Sequence, residues 1–317
     1  CFFSDIKQIE KKNNISSKKL FLNDKKTQNE IEDLKIFFFK EIKNNLNNLH
    51  KDSYSDKFWK FLLEPWLSYF IDSNAMKWKI IQDVETKYSK IYFNKYKNLK
   101  QRYFFDVRDY QKNFEKDDKF HQKQFQNLLE FKSKFNSKYH GLQNNKIFLE
   151  KKNNFKKSHI SSFVRKSLNS IINYFLRNNS YFIFNSSLGI FNHIILNFKL
   201  KQFPHILFED FKALEYEKYF NNSINLKLRD KIKINLNTKD ELKSFLSEAI
   251  IHELPTCYLE NFKILIEKSK KIRINSKIII SSTEILHNTL FKFWAALMQE
   301  TKKSIIVCPD HGGTLGV

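Results

Sequence analysis

Five glycines and four prolines are all that a chain of 317 residues has for sharp turns and left-handed backbone. Glycine takes positive φ at no steric cost, and proline cannot donate to a helix or sheet. A chain so poor in both must be built from long, uninterrupted elements, and its few breaks are placed. Three of the glycines, Gly312, Gly313 and Gly316, fall within the last six residues. The prolines, Pro65, Pro204, Pro255 and Pro309, stand at junctions between patterned segments.

Residues 1–27 are polar and weakly periodic. Over 28–50, Ile31, Leu34, Phe38, Ile42, Leu46 and Leu49 recur at three- and four-residue steps, which predicts an amphipathic helix. Residues 56–90 form an aromatic helical block holding Trp59, Trp66 and Trp78, expected to be core, with Pro65 expected to kink or restart it. Residues 91–160 are lysine-rich, with a helix expected from Lys116 to Phe135. A further helix is expected from Phe163 to Leu176. The pattern then changes. Tyr181–Phe184 reads as a short strand, and 239–268 as a helix broken at Pro255. Thr238 and Glu241 form a capping-box pattern at its start. Lys277–Ile280 and Ser304–Val307 read as strands flanking a helix over Asn288–Gln299. Strand, helix, strand with short apolar strands implies a parallel sheet with crossover helices. The expected class is therefore α/β: a mainly helical region over 1–177, then a Rossmann-like half over 178–317.

The chain is 41% hydrophobic and 16% aromatic, enough to bury a core. Its longest apolar runs, such as Ile36–Phe39, are far short of the roughly 20 residues of a membrane span. No signal peptide is legible, and Cys1, Cys257 and Cys308 have no metal-ligand spacing, so they read as reduced thiols of a cytoplasmic protein. The net charge of +22 invites a nucleic-acid reading. Lysine outnumbers arginine 50 to 6, however, and Asn, Ile and Phe abound while Gly, Pro and Ala are scarce. An A/T-biased genome gives that profile without selection for DNA binding, and the arginines that read guanine and phosphate are rare. No specific nucleic acid is expected.

Three constellations carry chemistry. Ile305–Val307 runs into Cys308-Pro309-Asp310-His311-Gly312-Gly313, a strand ending in a glycine-rich turn. Ligands of open parallel sheets bind beyond such strand ends, and glycines let backbone N–H groups approach a phosphate. His311 is a candidate base or phosphate donor, with Asp310, Gly312 and Gly313 as ligand contacts. A tight turn with a packed histidine is the bland alternative. The second constellation is Glu253-Leu254-Pro255 followed by Glu260. Pro255 cannot donate to the carbonyl of Ile251, so a polar group is freed beside Glu253. Glu253 is a candidate base, although spacing alone favours an ordinary kinked helix with solvated glutamates. The third is Ser281-Ser282 at a strand end with Lys292 on the next helix, a hydroxyl and amide site for phosphate. Lys292 reads equally well as a surface lysine. No Walker loop, dinucleotide fingerprint, GxSxG or zinc motif occurs.

These stretches together resemble a family of transferases encoded in bacterial surface-polysaccharide and O-antigen gene clusters. The matching pieces are His50 with Phe58–Leu67, then Glu253-Leu254-Pro255 with Tyr258-Leu259-Glu260, then Phe291–Ala295, and finally His311-Gly312-Gly313 with Gly316. The resemblance implies a GT-B-like enzyme, distantly similar to CDP-glycerol glycerophosphotransferases and capsule sugar transferases. It implies a nucleotide-sugar or nucleotide-polyol donor, a carbohydrate acceptor and peripheral contact with the inner membrane. Asp310 stands where that family usually has Gln. The family continues beyond the glycine-rich loop into a second half that would hold most of the donor. The expectation is thus a fragment, inactive alone and holding no cofactor. The competing expectation is a non-enzymatic basic helical protein that binds anionic membrane or nucleic acid.

Overall fold

A computed structural model describes residues 25–87, 92–96, 101–132, 136–140, 180–184, 188–202, 211, 224–234, 236, 239–282 and 284–309. In chain order, the helical region contains α1 (Lys25–His50), α2 (Asp56–Lys87), β1 (Tyr92–Tyr96), α3 (Val107–Lys116), α4 (Asp118–Lys132) and β2 (Asn136–His140). The remainder contains β3 (Tyr181–Ile183), α5 (Ile190–Lys199), α6 (Leu226–Asp230), α7 (Glu241–Glu253), a 3-10 turn (Thr256–Tyr258), α8 (Phe262–Lys270), β4 (Ile278–Ile280), α9 (Glu284–His287), α10 (Thr289–Lys302) and β5 (Ile305–Val307).

The expected stripe of α1 is buried at Leu34, Phe38, Ile42 and Leu46, against α2. Helix α2 is the central pillar, touching α1, α3, α4, α7 and α10. It neither stops nor restarts at Pro65. A proline inside a helix costs about 3 kcal/mol. Around it Leu62, Leu63, Trp66, Leu67 and Phe70 are all buried, each worth about 1.5–3 kcal/mol, so packing holds the helix together through the break. Trp59 and Trp66 are core as expected, while Phe61 is only half-buried.

Two further details add to the expectations. The helix expected over 116–135 is α4, over 118–132, and a separate helix not foreseen, α3, precedes it, capped by Asp106 through Asp109 N–H. The start of α7 is capped by Asp240, whose side chain accepts from Lys243 N–H at 3.1 Å. Thr238 and the helix expected over 163–176 lie outside the described residues.

The three strands β3, β4 and β5 form the expected parallel sheet, in that order. Register aligns Phe182, Ile279 and Ile306 in one row. That row faces inward: Phe182 meets the Trp294 ring at 5.1 Å, and Phe291 and Phe211 pack beside them. The alternate residues of β5, Ile305 and Val307, are exposed. Described structure thus supports a mainly helical α/β protein with a small parallel sheet. A second parallel pair, β1 with β2, was not expected from the lysine-rich stretch that contains it.

Glycine scarcity has a direct structural result. Lys51, Lys201 and Lys303 take positive φ of 59°, 54° and 58°, each just past the end of a helix, where glycine is the usual residue. A side chain there meets its own backbone, at a cost of about 1–2 kcal/mol. Lys303→Gly should therefore raise unfolding free energy by about 1 kcal/mol in a denaturant titration. A loss of stability would show that the Lys303 side chain, which donates to Glu300 O at 3.1 Å, outweighs the strain.

Candidate active site

The break at Pro255 organises the site. Helix α7 ends at Glu253, with Leu254 N–H bonded to Ile250 O. The carbonyl of Ile251, left without a helical donor by Pro255, is taken by Arg229. Its Nη1 donates to Ile251 O at 2.9 Å and to Leu254 O at 3.0 Å. The rest of the guanidinium forms a bidentate pair with Glu260, Nε to Oε1 at 2.6 Å and Nη2 to Oε2 at 3.0 Å. Arg229 is fully buried and lies 5.0 Å from the Tyr103 ring. Glu260 is thereby engaged in holding the break together.

Past Pro255, Thr256 and Cys257 donate backbone N–H bonds to Phe104 O and Phe105 O at 2.8 and 2.9 Å. This pins the 3-10 turn to the segment that leads into α3. Asp106 then joins two helix starts. Its Oδ1 accepts from Asp109 N–H in α3, and its Oδ2 accepts from the Thr289 hydroxyl at the start of α10. One turn into α10 stands Lys292, only 6% exposed, on the wall of a small cleft. The cleft is lined by Leu62, Asp106, Val107, Arg108, Tyr258, Thr289, Lys292 and Phe293, with room for about one water-sized group. Among the described residues the Lys292 ammonium makes no hydrogen bond. Burial lowers its pKa to about 8, opposed by the charge of Asp106. Burial also pushes the Cys257 thiol well up, so it stays protonated.

A second polar group begins one turn further along α3, about 6 Å from Asp106 by helix geometry. Glu253 Oε2 accepts from the Tyr110 hydroxyl at 2.7 Å and from Gln124 Nε2 at 2.9 Å. Gln124 Oε1 in turn accepts from Lys77 Nζ at 2.8 Å and from the Ser73 hydroxyl at 2.9 Å. Burial raises the pKa of Glu253, against the two hydrogen bonds and the Lys77 charge. Burial lowers that of Lys77 to about 8. Glu253 is therefore a buried, networked carboxylate, not a solvated one.

Ser281 and Ser282 follow β4 and are buried. Ser281 N–H bonds Val307 O at 3.2 Å, and its hydroxyl accepts from Glu284 N–H at 3.3 Å. Glu284 accepts from Asn288 at 2.7 Å, and Asn288 caps α10 through Phe291 N–H. A hydrogen-bonded path thus runs from the carboxyl end of β4 to the helix that bears Lys292. The structure brings Ser281, Ser282 and Lys292 into one strand–helix unit. Glu253 lies at the far side of the Asp106–Tyr110 turn, and Glu260 lies with Arg229. Asp310, His311, Gly312 and Gly313 lie outside the described residues. Asp106, Thr289, Tyr110, Gln124 and Lys77 were missed from sequence. A usable signal existed for the lysines: Lys292 sits within Phe291-Lys292-Phe293-Trp294, and Lys77 between Met76 and Trp78.

The stretches that carried the resemblance meet in space. His50 Nε2 lies 3.0 Å from Tyr258 O, and its ring stacks on Phe262 at 4.1 Å. Trp59 also stacks on Phe262, at 5.1 Å, and the Tyr258 hydroxyl donates to Leu62 O at 2.6 Å. Phe293 closes the cluster on Tyr258 and Phe262. Fold and site define a mainly helical α/β protein whose buried polar seam leads to the carboxyl edge of a parallel sheet. A family model described as LIC12162 family transferase matches residues 15–317, and the chain belongs to that family of transferases. No curated protein and no solved structure matches it. Among the described residues no helix is long and apolar enough to cross a membrane, and no group of side chains is arranged to hold a metal ion.

Lys292 fixes the sign of a pH dependence. Below about pH 8 it is charged in folded and unfolded states alike, and its burial cost is borne in full. Between about 8 and its ordinary 10.5, the unfolded chain keeps a proton that the folded protein has lost, so this group makes stability rise with pH. Buried Tyr110 and Tyr258, with raised pKa values, act in the opposite direction, so the variant comparison isolates the lysine. Lys292→Met should be more stable than wild type at pH 7, with the difference shrinking across that window. A constant difference from pH 7 to 10.5 would show that Lys292 titrates normally.

Proposed function

We propose that this transferase moves a glycosyl or polyol-phosphate group from a nucleotide-activated donor to a carbohydrate acceptor in O-antigen or capsule biosynthesis. The observation that carries the reading is Lys292: a cation whose ammonium makes no hydrogen bond among the described residues, buried one turn into α10, the helix that follows β4 by way of α9. Ligands of open parallel sheets sit at the carboxyl edge. A transfer from a nucleotide diphosphate develops negative charge on the leaving phosphate, and a fixed cation in a dry site stabilises it. Ser281 and Ser282 supply the strand-end contacts in this reading, and the Asp310–Gly313 segment, which follows β5 in sequence, supplies the rest.

His311 and Glu253 are the proposed acceptors of the proton from the attacking hydroxyl. Glu253 Oε2 is occupied by Tyr110 and Gln124, and no hydrogen bond is made to Oε1 among the described residues. A raised pKa suits a base working near neutrality. Glu253→Gln preserves shape and leaves an oxygen for both donors. It should leave melting temperature unchanged or higher and cut turnover of a nucleotide-activated donor by about 10²-fold in the full-length protein. Full turnover in this variant would remove Glu253 from the chemistry, and full turnover in His311→Ala would do the same for His311.

A second reading, docking on an anionic membrane, is favoured by α5. Phe191, Ile195 and Phe198, spaced on one helical face, are 83%, 51% and 64% exposed, with Lys199 and Lys201 at the helix end. An apolar stripe beside basic residues suits the surface of anionic lipid. The two readings are compatible, since lipid-linked acceptors are presented at such a surface. Phe191→Ser/Phe198→Ser should reduce sedimentation with vesicles of anionic phospholipid. Unchanged sedimentation would take α5 out of the membrane contact.

A further inference from the structure

The cleft beside Lys292 has more structure than a buried cation. Its walls are the first turns of two helices, α3 at Val107 and Arg108 and α10 at Thr289. The first four N–H groups of a helix have no partner within it. Here the caps take Asp109 N–H and Phe291 N–H. The N–H groups of Val107, Arg108, Thr289 and Leu290 have no acceptor within their own helices. Each helix start also carries about half a positive charge. Lys292 faces the cleft from inside, and Arg108 stands exposed at its mouth. Asp106 is the one carboxylate lining it, and both its oxygens already accept, from Asp109 N–H and the Thr289 hydroxyl. Two cations and two helix starts outweigh that single charge.

We propose that this cleft seats one oxygen of a phosphoryl group, with Lys292 as the inner cation and Arg108 as the outer one. Its size selects the mode of binding. Room for about one water-sized group admits a single oxygen, so the phosphorus and its other oxygens stay at the mouth, within reach of Arg108. A doubly charged phosphate gains more from this field than a singly charged carboxylate does. Asp106 acts as a positioning residue: by bonding Thr289 it holds the two helix starts at the spacing of one oxygen. The seat stands on geometry alone. Only its assignment to the donor phosphate rests on the transferase reading above.

The test uses the full-length protein and titrates inorganic phosphate, pyrophosphate and acetate at constant ionic strength by calorimetry. Phosphate and pyrophosphate should bind at least about tenfold more tightly than acetate. Lys292→Met should lose about tenfold or more of that affinity, and Arg108→Gln, at an exposed position, should lose several-fold without a change in melting temperature. Equal affinity for phosphate and acetate, or phosphate affinity unchanged in Lys292→Met, would overturn the proposal. Donor turnover on the same samples separates the two readings. Phosphate bound through Lys292 without turnover of any nucleotide-activated donor keeps the seat and removes the transfer. Turnover lost in Lys292→Met with phosphate affinity intact keeps the transfer and removes the seat.

Discussion

Pro255 leaves the carbonyl of Ile251 without a helical donor, and the surrounding structure is arranged around its repair by Arg229. A buried carbonyl without a partner costs about 1–3 kcal/mol, and an unpaired guanidinium far more. Arg229 settles both at once by bonding two carbonyls and pairing with Glu260. With the break held rigid, the chain leaves α7 in one direction only. Glu253 is delivered to Tyr110, and Thr256 and Cys257 are delivered to the 104–105 backbone. The Glu253 contacts to Tyr110 and Gln124 and the pairing of residues 256–257 with residues 104–105 follow from that geometry.

The result is a seam of polar groups through an otherwise aromatic interior, from Ser73 and Lys77 through Gln124, Glu253 and Tyr110 to Asp106, Thr289 and Lys292. A buried polar group is expensive unless its partners are supplied. Lys77 is supplied, with the Ser73 and Gln124 oxygens and a carboxylate nearby. Lys292 is not: its compensation is long-range, from Asp106. A well-packed apolar residue would be more stable at that position. A destabilising charge kept in a cleft formed by two helix starts is the feature on which the proposed binding role of Lys292 rests.

Much of this fold was legible. The two strand segments around α10 pair in parallel as their apolar runs implied, and the α1 stripe and the tryptophan block are core. Pro65 misled because local propensity gives way to the buried side chains around it. The β1–β2 pair was hidden, since Tyr92–Tyr96 and Asn136–His140 carry lysine and asparagine among few apolar residues. In the site, the freed Ile251 carbonyl was readable from Pro255, but its partner Arg229 stands 22 residues away in sequence. Lys292 was ambiguous for a compositional reason: among 50 lysines one more carries little information, and only its apolar neighbours mark it. Left-handed turns show the same bias, with lysine standing where glycine would be expected.

The central claim is that Lys292 is a buried cation that meets the phosphate of a ligand. It is tested most directly by following the Lys292 ammonium by NMR in lysine-labelled full-length protein, assigned by its disappearance in Lys292→Met. The account gives a titration midpoint near 8 in the free protein, moving upward when pyrophosphate is present, because a bound anion favours the charged lysine. A midpoint near 10.5 that pyrophosphate leaves unmoved would contradict it.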